Sequence, residues 1–353
     1  MNRTVDHTRP IFRDIIDPNN NLHRQRLIRK IQKLIKGKLL VYSANPGSPV
    51  PQATAIVQQD ALMFEDLLRS VGNADVGYLM ITSPGGDPNA AEKILMMCRQ
   101  RFTKGFCVIV PYSAKSAATM ICLGADKILM GYMAELGPID PQITIDPKKP
   151  PLPARSFISG LDMIRDRIKS GENPITYLPM LAQIPPQLIA ICESAIVDSK
   201  NMAEKWLKQY MLNGDHKQAE NVADLLSNGV TYKSHGKVID FSETKDVLKL
   251  NAERIDPKTD LWNSIWELFV RSMAFFQTQA GLSVVKMFEG ESVSLNTMIQ
   301  LIGIPAPTAN PSPQSPTPPP QSPPQAPPQA PPEAPPQAPP NVEQPIQAMI
   351  PRY

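Results

Sequence analysis

Between residues 39 and 131 the chain alternates short apolar runs with amphipathic segments, and that alternation decides what it can fold into. LLVYSA (39–44), GYLMITS (77–83), FCVIVPY (106–112) and KILMG (127–131) read as strands. Residues 54–71, 88–103 and 115–124 carry apolar side chains at helical spacing and read as helices. Strands joined by helices pair in parallel and bury both sheet faces, so the pattern predicts an α/β fold with a largely parallel sheet. In such sheets chemistry gathers at the carboxyl ends of the strands.

The flanks differ in character. Residues 187–228 read as mostly helical with a break at Asn213-Gly214, and KVIDFSE (237–243) is a short apolar-polar stretch. Residues 258–302 read as a helical extension on the apolar positions Trp262, Ile265, Trp266, Leu268, Phe269 and Met273. Upstream, residues 1–38 form a basic arm. Within residues 21–38, Leu27, Ile28, Ile31, Leu34 and Ile35 share one helical face, and Arg24, Arg26, Arg29, Lys30, Lys33 and Lys36 cover much of the rest. Such a helix packs its apolar stripe on its own or a neighbouring subunit, the favoured reading, or contacts a membrane surface or partner. From Pro305 the sequence turns into proline-rich repeats of period four. Proline continues neither a helix nor a strand ladder, so residues 304–353 are expected to be a disordered or polyproline-II spacer. The organisation predicted is an arm (1–38), a body (39–255), a helical extension (256–303) and the tail (304–353).

Charge and cysteines narrow the function classes. A net charge of +3 is too small to imply a polyanion partner, and no nucleic acid is expected. Cys98, Cys107, Cys122 and Cys192 form no CxxC pair and read as reduced core thiols, with no metal site. The opening MNRTVDHTRPIFRD has no apolar signal region, and no run approaches the roughly 18 apolar residues of a membrane span. The expectation is a cytoplasmic protein, at most peripheral at a membrane. There is no GxxxxGK[ST] phosphate loop, and no cofactor is expected.

Two motifs follow strands: Ser83-Pro84-Gly85-Gly86, and Ser113-Ala114-Lys115-Ser116-Ala117-Ala118 at the start of a helix. Acyl transfer needs a hydroxyl nucleophile and donors aimed at a developing oxyanion. A glycine pair after a strand leaves amides uncovered. A serine at a helix N-terminus sits where N–H groups point outward, and small residues behind it let the helix pack close. Taken singly, Pro-Gly-Gly is usually a turn and a serine opening a helix is usually an N-cap. On consecutive βα units, 30 residues apart from Gly86 to Ser116, the pair is far more specific.

ITSPGGDPNAAEKI followed by AKSAATMICLGADKILM resembles the ClpP/SppA superfamily of serine peptidases. AELGPIDPQI (134–143) is similar to its SppA-like branch called the serine dehydrogenase proteinase family, which also has a His-containing strand late in the domain, here SHGKVIDF (234–241). The resemblance spans roughly residues 39–275. It implies a ClpP/crotonase-like fold, Ser116 as nucleophile, and an oxyanion hole from Gly85, Gly86 and Ala117. It also implies a homo-oligomer, and the expected activity is on peptide or unfolded-protein substrates. With no phosphate loop in the chain the peptidase is expected to be ATP-independent, any ATP-driven unfolding coming from a partner. Members often carry transmembrane segments, and none is legible here. The ClpP histidine position falls near Asp140 or Pro141, where there is no histidine, and the third-member position falls near His235. His235 is therefore a candidate base with Asp140 as orienting carboxylate, and Lys169 and Lys200 are candidates for the Ser-Lys alternative. Lys115 adjoins Ser116, and neighbours on a helix face different ways, which sets it aside as a base. Met96, Met97, Met120, Met130 and Met133 are read as core filler, some lining an adaptable pocket. Two other readings stand beside the peptidase: a crotonase-type acyl-CoA enzyme, disfavoured by the serine in AKSAA, and an inactive scaffold that binds partners through its arm and tail.

Overall fold

Leu39 and Val41 pack into one hydrophobic cluster, while Leu40 and Tyr42 pack into another. Side chains alternate across a strand, so a run that is apolar at every position needs cover on both faces. The computed structural model, which describes residues 19–72, 74–145 and 151–299, supplies that cover with a seven-stranded sheet between two groups of helices.

The first half of the chain forms α1 (Asn21–Ile35), β1 (Lys38–Ala44), α2 (Asp60–Ser70), β2 (Val76–Thr82), α3 (Pro88–Arg101), β3 (Gly105–Val110), β4 (Ser113–Ala114), α4 (Ala117–Leu123) and β5 (Lys127–Met130). Then come β6 (Glu135–Leu136), β7 (Gln142–Ile143), β8 (Leu152–Pro153), α5 (Ala154–Lys169), α6 (Leu178–Leu181), α7 (Pro186–Gln209), α8 (His216–Ser227), β9 (Ala252–Arg254), α9 (Asp260–Phe276), β10 (Val284–Glu289) and β11 (Ser294–Met298). The main sheet runs β11-β10-β1-β2-β3-β5-β9. β1, β2, β3 and β5 are parallel, as the alternation predicts, and β9, which the sequence pattern does not foresee, joins β5 in parallel. β10 lies antiparallel on β1, and β11 antiparallel on β10.

One face is covered by α2, α3, α4, α8 and the C-terminal part of α7, through residues such as Phe64, Ile94, Ile121, Leu207 and Leu226. The other is covered by α1 and α9, through Ile28, Ile31, Ile265, Leu268 and Met273. The basic arm's helix thus packs Leu27, Ile28, Ile31 and Ile35 of its apolar stripe on its own chain, while Leu34 stays exposed. Arg24, read as part of the polar face, is instead buried: its guanidinium meets Glu289 of β10 at 2.9 Å, with the two side chains 3% and 0% exposed. A buried charge needs such a partner, and here the partner is 265 residues away.

Three local expectations change. The extension read as helical over 258–302 is helical only through Phe276, and the hairpin β10–β11 follows. Lys286 and Glu289 interrupt the apolar run of β10 in sequence, but both are buried with ionic partners. The strand expected at 234–241 is a turn followed by a single bridge from Ile239 to Leu136. α2 starts at Asp60 rather than near residue 54, because a short 3-10 turn with Pro51 at its start precedes it. The proline-rich tail lies outside the described residues. Among the described residues no single helix is long and apolar enough to cross a membrane; only the bent pair Pro174–Leu181 and Pro186–Gln209 passes on length and composition together.

Candidate active site

β2 delivers the chain into Ser83-Pro84-Gly85-Gly86, and β3 delivers it into the turn before α4. The two segments are laced together. Ser83 N donates to Ser113 O and Lys115 N donates to Ser83 O, each at 3.0 Å. The Ser83 hydroxyl accepts from Gly85 N at 3.1 Å. Asp87 then caps α3 by accepting from Asn89 N, with Pro88 in the first turn, so the loop ends in a rigid helix start.

Both glycines are required by contact. Gly85 has φ 99° and Gly86 φ 150°, angles open to glycine and rare for other residues. A Cβ on Gly85 would stand 2.6 Å from Lys115 O and 2.7 Å from Ser116 Cβ. One on Gly86 would stand 2.3 Å from Ile56 O. Ile56 clamps the loop from its far side, donating to Gly85 O at 2.7 Å and accepting from Asp87 N at 2.9 Å. Among the described residues, no backbone carbonyl accepts from the amide of Gly86 or of Ala117.

Ser116 is the outlier of the site. It has φ 49° and ψ −118°, and its hydroxyl makes no capping bond to α4. The ordinary reason for a serine at this place, capping, therefore does not apply. A non-glycine residue in such a conformation costs about 1–3 kcal/mol and persists only where its surroundings hold it. The surroundings are rigid: every residue of α4 is buried. Thr119 donates to Ala114 O at 2.7 Å and accepts from Gly137 N at 3.1 Å. The helix is thereby tied to the Gly-Pro-Ile-Asp-Pro loop.

That loop carries Asp140, which is 2% exposed. Its Oδ1 lies 2.8 Å from His235 Nδ1, and its Oδ2 accepts from Gln142 Nε2 at 2.9 Å. In the neutral imidazole this pairing makes Nδ1 the donor to the carboxylate and leaves the lone pair on Nε2. Ser116, Ala117, Gly86, Asp140 and His235 line one cavity of about 300 Å³, whose apolar wall includes Pro88, Met120, Ile139, Ile143 and Ala195. The structure thus brings together the sequence candidates Ser116, Gly86, Ala117, Asp140 and His235, with Gly85 against Ser116 from behind.

It does not bring the lysine candidates there. Lys169 is exposed at the end of α5, and Lys200 is paired with Asp224 at 2.9 Å. Neither lines the cavity. Of the five methionines only Met120 does; Met130 is buried, while Met96 and Met133 are largely exposed. The cysteines are all free. Burial pushes the Cys98 thiol up to about 12 and that of Cys122 higher still, so neither is a nucleophile near neutral pH. Among the described residues no group of three or more His, Cys, Asp or Glu side chains could hold a metal ion.

A model of the family described as ClpP-like SDH-type serine proteinase matches residues 49–270. Two uncharacterized proteins of Methanocaldococcus jannaschii are similar to parts of the chain. One is 32% identical over 125 residues, which make up 35% of this chain and 40% of that protein. The other is 40% identical over 82 residues, 22% of this chain and 28% of that protein. The matched region thus spans less than half the length of either relative. Among solved structures, a variant of a membrane-bound stomatin-specific protease is similar with 15% identity and a TM-score of 0.36, over 62% of this chain and 80% of that one. A ClpP1 variant from Listeria monocytogenes has 16% identity and a TM-score of 0.34, over 67% of this chain and 99% of that one. An enoyl-CoA hydratase/isomerase from Marinobacter aquaeolei has 11% identity and a TM-score of 0.32, over 70% of this chain and 84% of that one.

Proposed function

Because this chain belongs to the ClpP-like SDH-type serine proteinases, we propose that Ser116 opens peptide bonds through an acyl-enzyme, with His235 as its base and Asp140 holding the imidazole. Ser116 Oγ attacks the substrate carbonyl carbon and gives its proton to His235 Nε2. The carbonyl oxygen becomes an oxyanion facing the amides of Gly86 and Ala117. Collapse breaks the C–N bond, and the leaving amine takes the proton from the imidazolium. Water then attacks the serine ester, loses a proton to Nε2, and Ser116 recovers its hydroxyl as the acid departs. No ATP enters any step. The apolar cavity wall suits an extended peptide or unfolded segment with an apolar side chain beside the scissile bond.

The observation that carries this reading is the backbone of Ser116, held at φ 49° and ψ −118° with no capping role, in the cavity that also contains the His235–Asp140 pair. A strained serine without a capping bond is what a presented nucleophile needs and what a mere helix start does not. The crotonase alternative has no use for it, since oxyanion donors alone would serve there.

Fluorophosphonate labelling tests the reading. Wild-type protein should take one label, located on Ser116 by mass spectrometry. Ser116→Ala should take none, and its peptide hydrolysis should fall by about 10³-fold or more. Folded wild-type protein that stays unlabelled would favour the inactive scaffold.

A further inference from the structure

Lys115 stands next to the nucleophile but is not placed to be its base. It precedes α4 rather than lying on it, and its side chain runs away along Gly137, where an added Cβ would stand 2.7 Å from Lys115 Cδ. An ammonium has three N–H donors, and here three acceptors surround it. Nζ donates to Leu136 O at 3.0 Å and to Lys237 O at 3.2 Å, and it meets Glu135 Oε1 at 2.9 Å. Its own backbone N–H is bonded to Ser83 O. The side chain is 17% exposed.

These contacts join the four segments that make up the site. The backbone of Lys115 ties the nucleophile turn to the root of the glycine loop. Its ammonium reaches β6, which leads into the Asp140 loop, and the carbonyl of Lys237, two residues beyond His235. Among the described residues, the other hydrogen bonds that fasten the His235 turn are those of Ile239, whose amide and carbonyl both bond Leu136, and that of the imidazole itself with Asp140. His235 projects from a turn with no strand to hold it, so its reach toward Ser116 depends on such ties.

We propose that Lys115 is a positioning residue that straps the His235 turn and the Asp140 loop to the nucleophile turn, setting the distance between base and serine. The inference rests on the reading of Ser116 and His235 given above. A displacement of about 1 Å between reacting groups costs up to about 100-fold in rate.

Lys115→Met keeps the stem against Gly137 and removes the ammonium. Hydrogen exchange of the amides in 234–240 should rise at least about tenfold, with β1, β2 and β3 unchanged. The rate of fluorophosphonate labelling at Ser116 should fall about 10- to 100-fold, while peptide affinity measured in the Ser116→Ala background stays the same. Lys115→Gln, which keeps two N–H donors but no charge, should fall between the two and serves if the methionine variant does not fold. Unchanged exchange in 234–240 would overturn the strap. Raised exchange with an unchanged labelling rate would overturn its positioning role. Wild-type protein that takes no label would instead overturn the reading of Ser116, a result distinct from either.

Discussion

Replacing Asp140 by asparagine should leave the protein folded and slow peptide hydrolysis by about 10⁴-fold. Asparagine has the same shape, and its carbonyl oxygen can still accept from Gln142. What it cannot do is present an acceptor to both Gln142 and His235. With its amide turned to His235 it donates, Nδ1 must accept, and the proton moves to Nε2. The imidazole then faces Ser116 with an N–H where a lone pair is needed. Because Asp140 is buried at 2% exposure, water does not readily restore the lost geometry. Turnover numbers for Asp140→Asn beside wild type, with thermal melts to confirm folding, check this; near-normal turnover would remove His235 from the role of base.

Lys286→Met should cost about 3–5 kcal/mol of stability, because it strips the partner from a carboxylate with no access to water. Lys286 Nζ meets Asp60 Oδ1 at 2.6 Å, and the side chains are 3% and 0% exposed. The same ammonium donates to Ala55 O at 3.0 Å, and Asp60 Oδ2 accepts from Val57 N at 3.0 Å. The phenol of Tyr42 lies beside this carboxylate, and burial first, then the charge of Asp60, hold it well above its usual titration range, so it stays neutral. At about 2–4 °C per kcal/mol for a domain of this size, the melting temperature should drop by about 10 °C. Asp60→Asn in the same chain should recover part of the loss, since the buried charge is then gone and Val57 keeps its acceptor. Calorimetry of both variants decides; a loss under about 1 kcal/mol for the single variant would mean that the pair is not isolated from solvent. The effect reaches the site, because residues 55–57 carry Ile56, the clamp on Gly85 and Gly86.

What could be read in the sequence follows from where the information is local. The parallel strands β1, β2, β3 and β5 were legible because each is a largely apolar run, which a sheet covered on both faces explains; β9 was not, because Glu253 and Arg254 are exposed and look like loop residues. Gly86 and Ser116 were legible because the demands of a close backbone approach and a presented hydroxyl are met by residue types within a few positions. The β10–β11 hairpin was not, because Lys286 and Glu289 look like solvent residues until Asp60 and Arg24, more than 200 residues away, come beside them. The pairing of His235 with Asp140, 95 residues apart, was legible only through the family resemblance. Lys115 was set aside on helical geometry, and the helix begins two residues later. Thr119 and Gln142, which brace the nucleophile helix and Asp140, carry no sequence signal beyond being polar, so only the folded chain reveals them.

The most direct test of the site is the rate of fluorophosphonate labelling at Ser116 in His235→Ala, measured beside Lys169→Ala and Lys200→Ala. The geometry predicts that only the histidine variant slows, by about 10³-fold, with both lysine variants at the wild-type rate. A lysine variant that abolishes labelling while His235→Ala labels normally would contradict it, and would assign Ser116 a lysine partner instead.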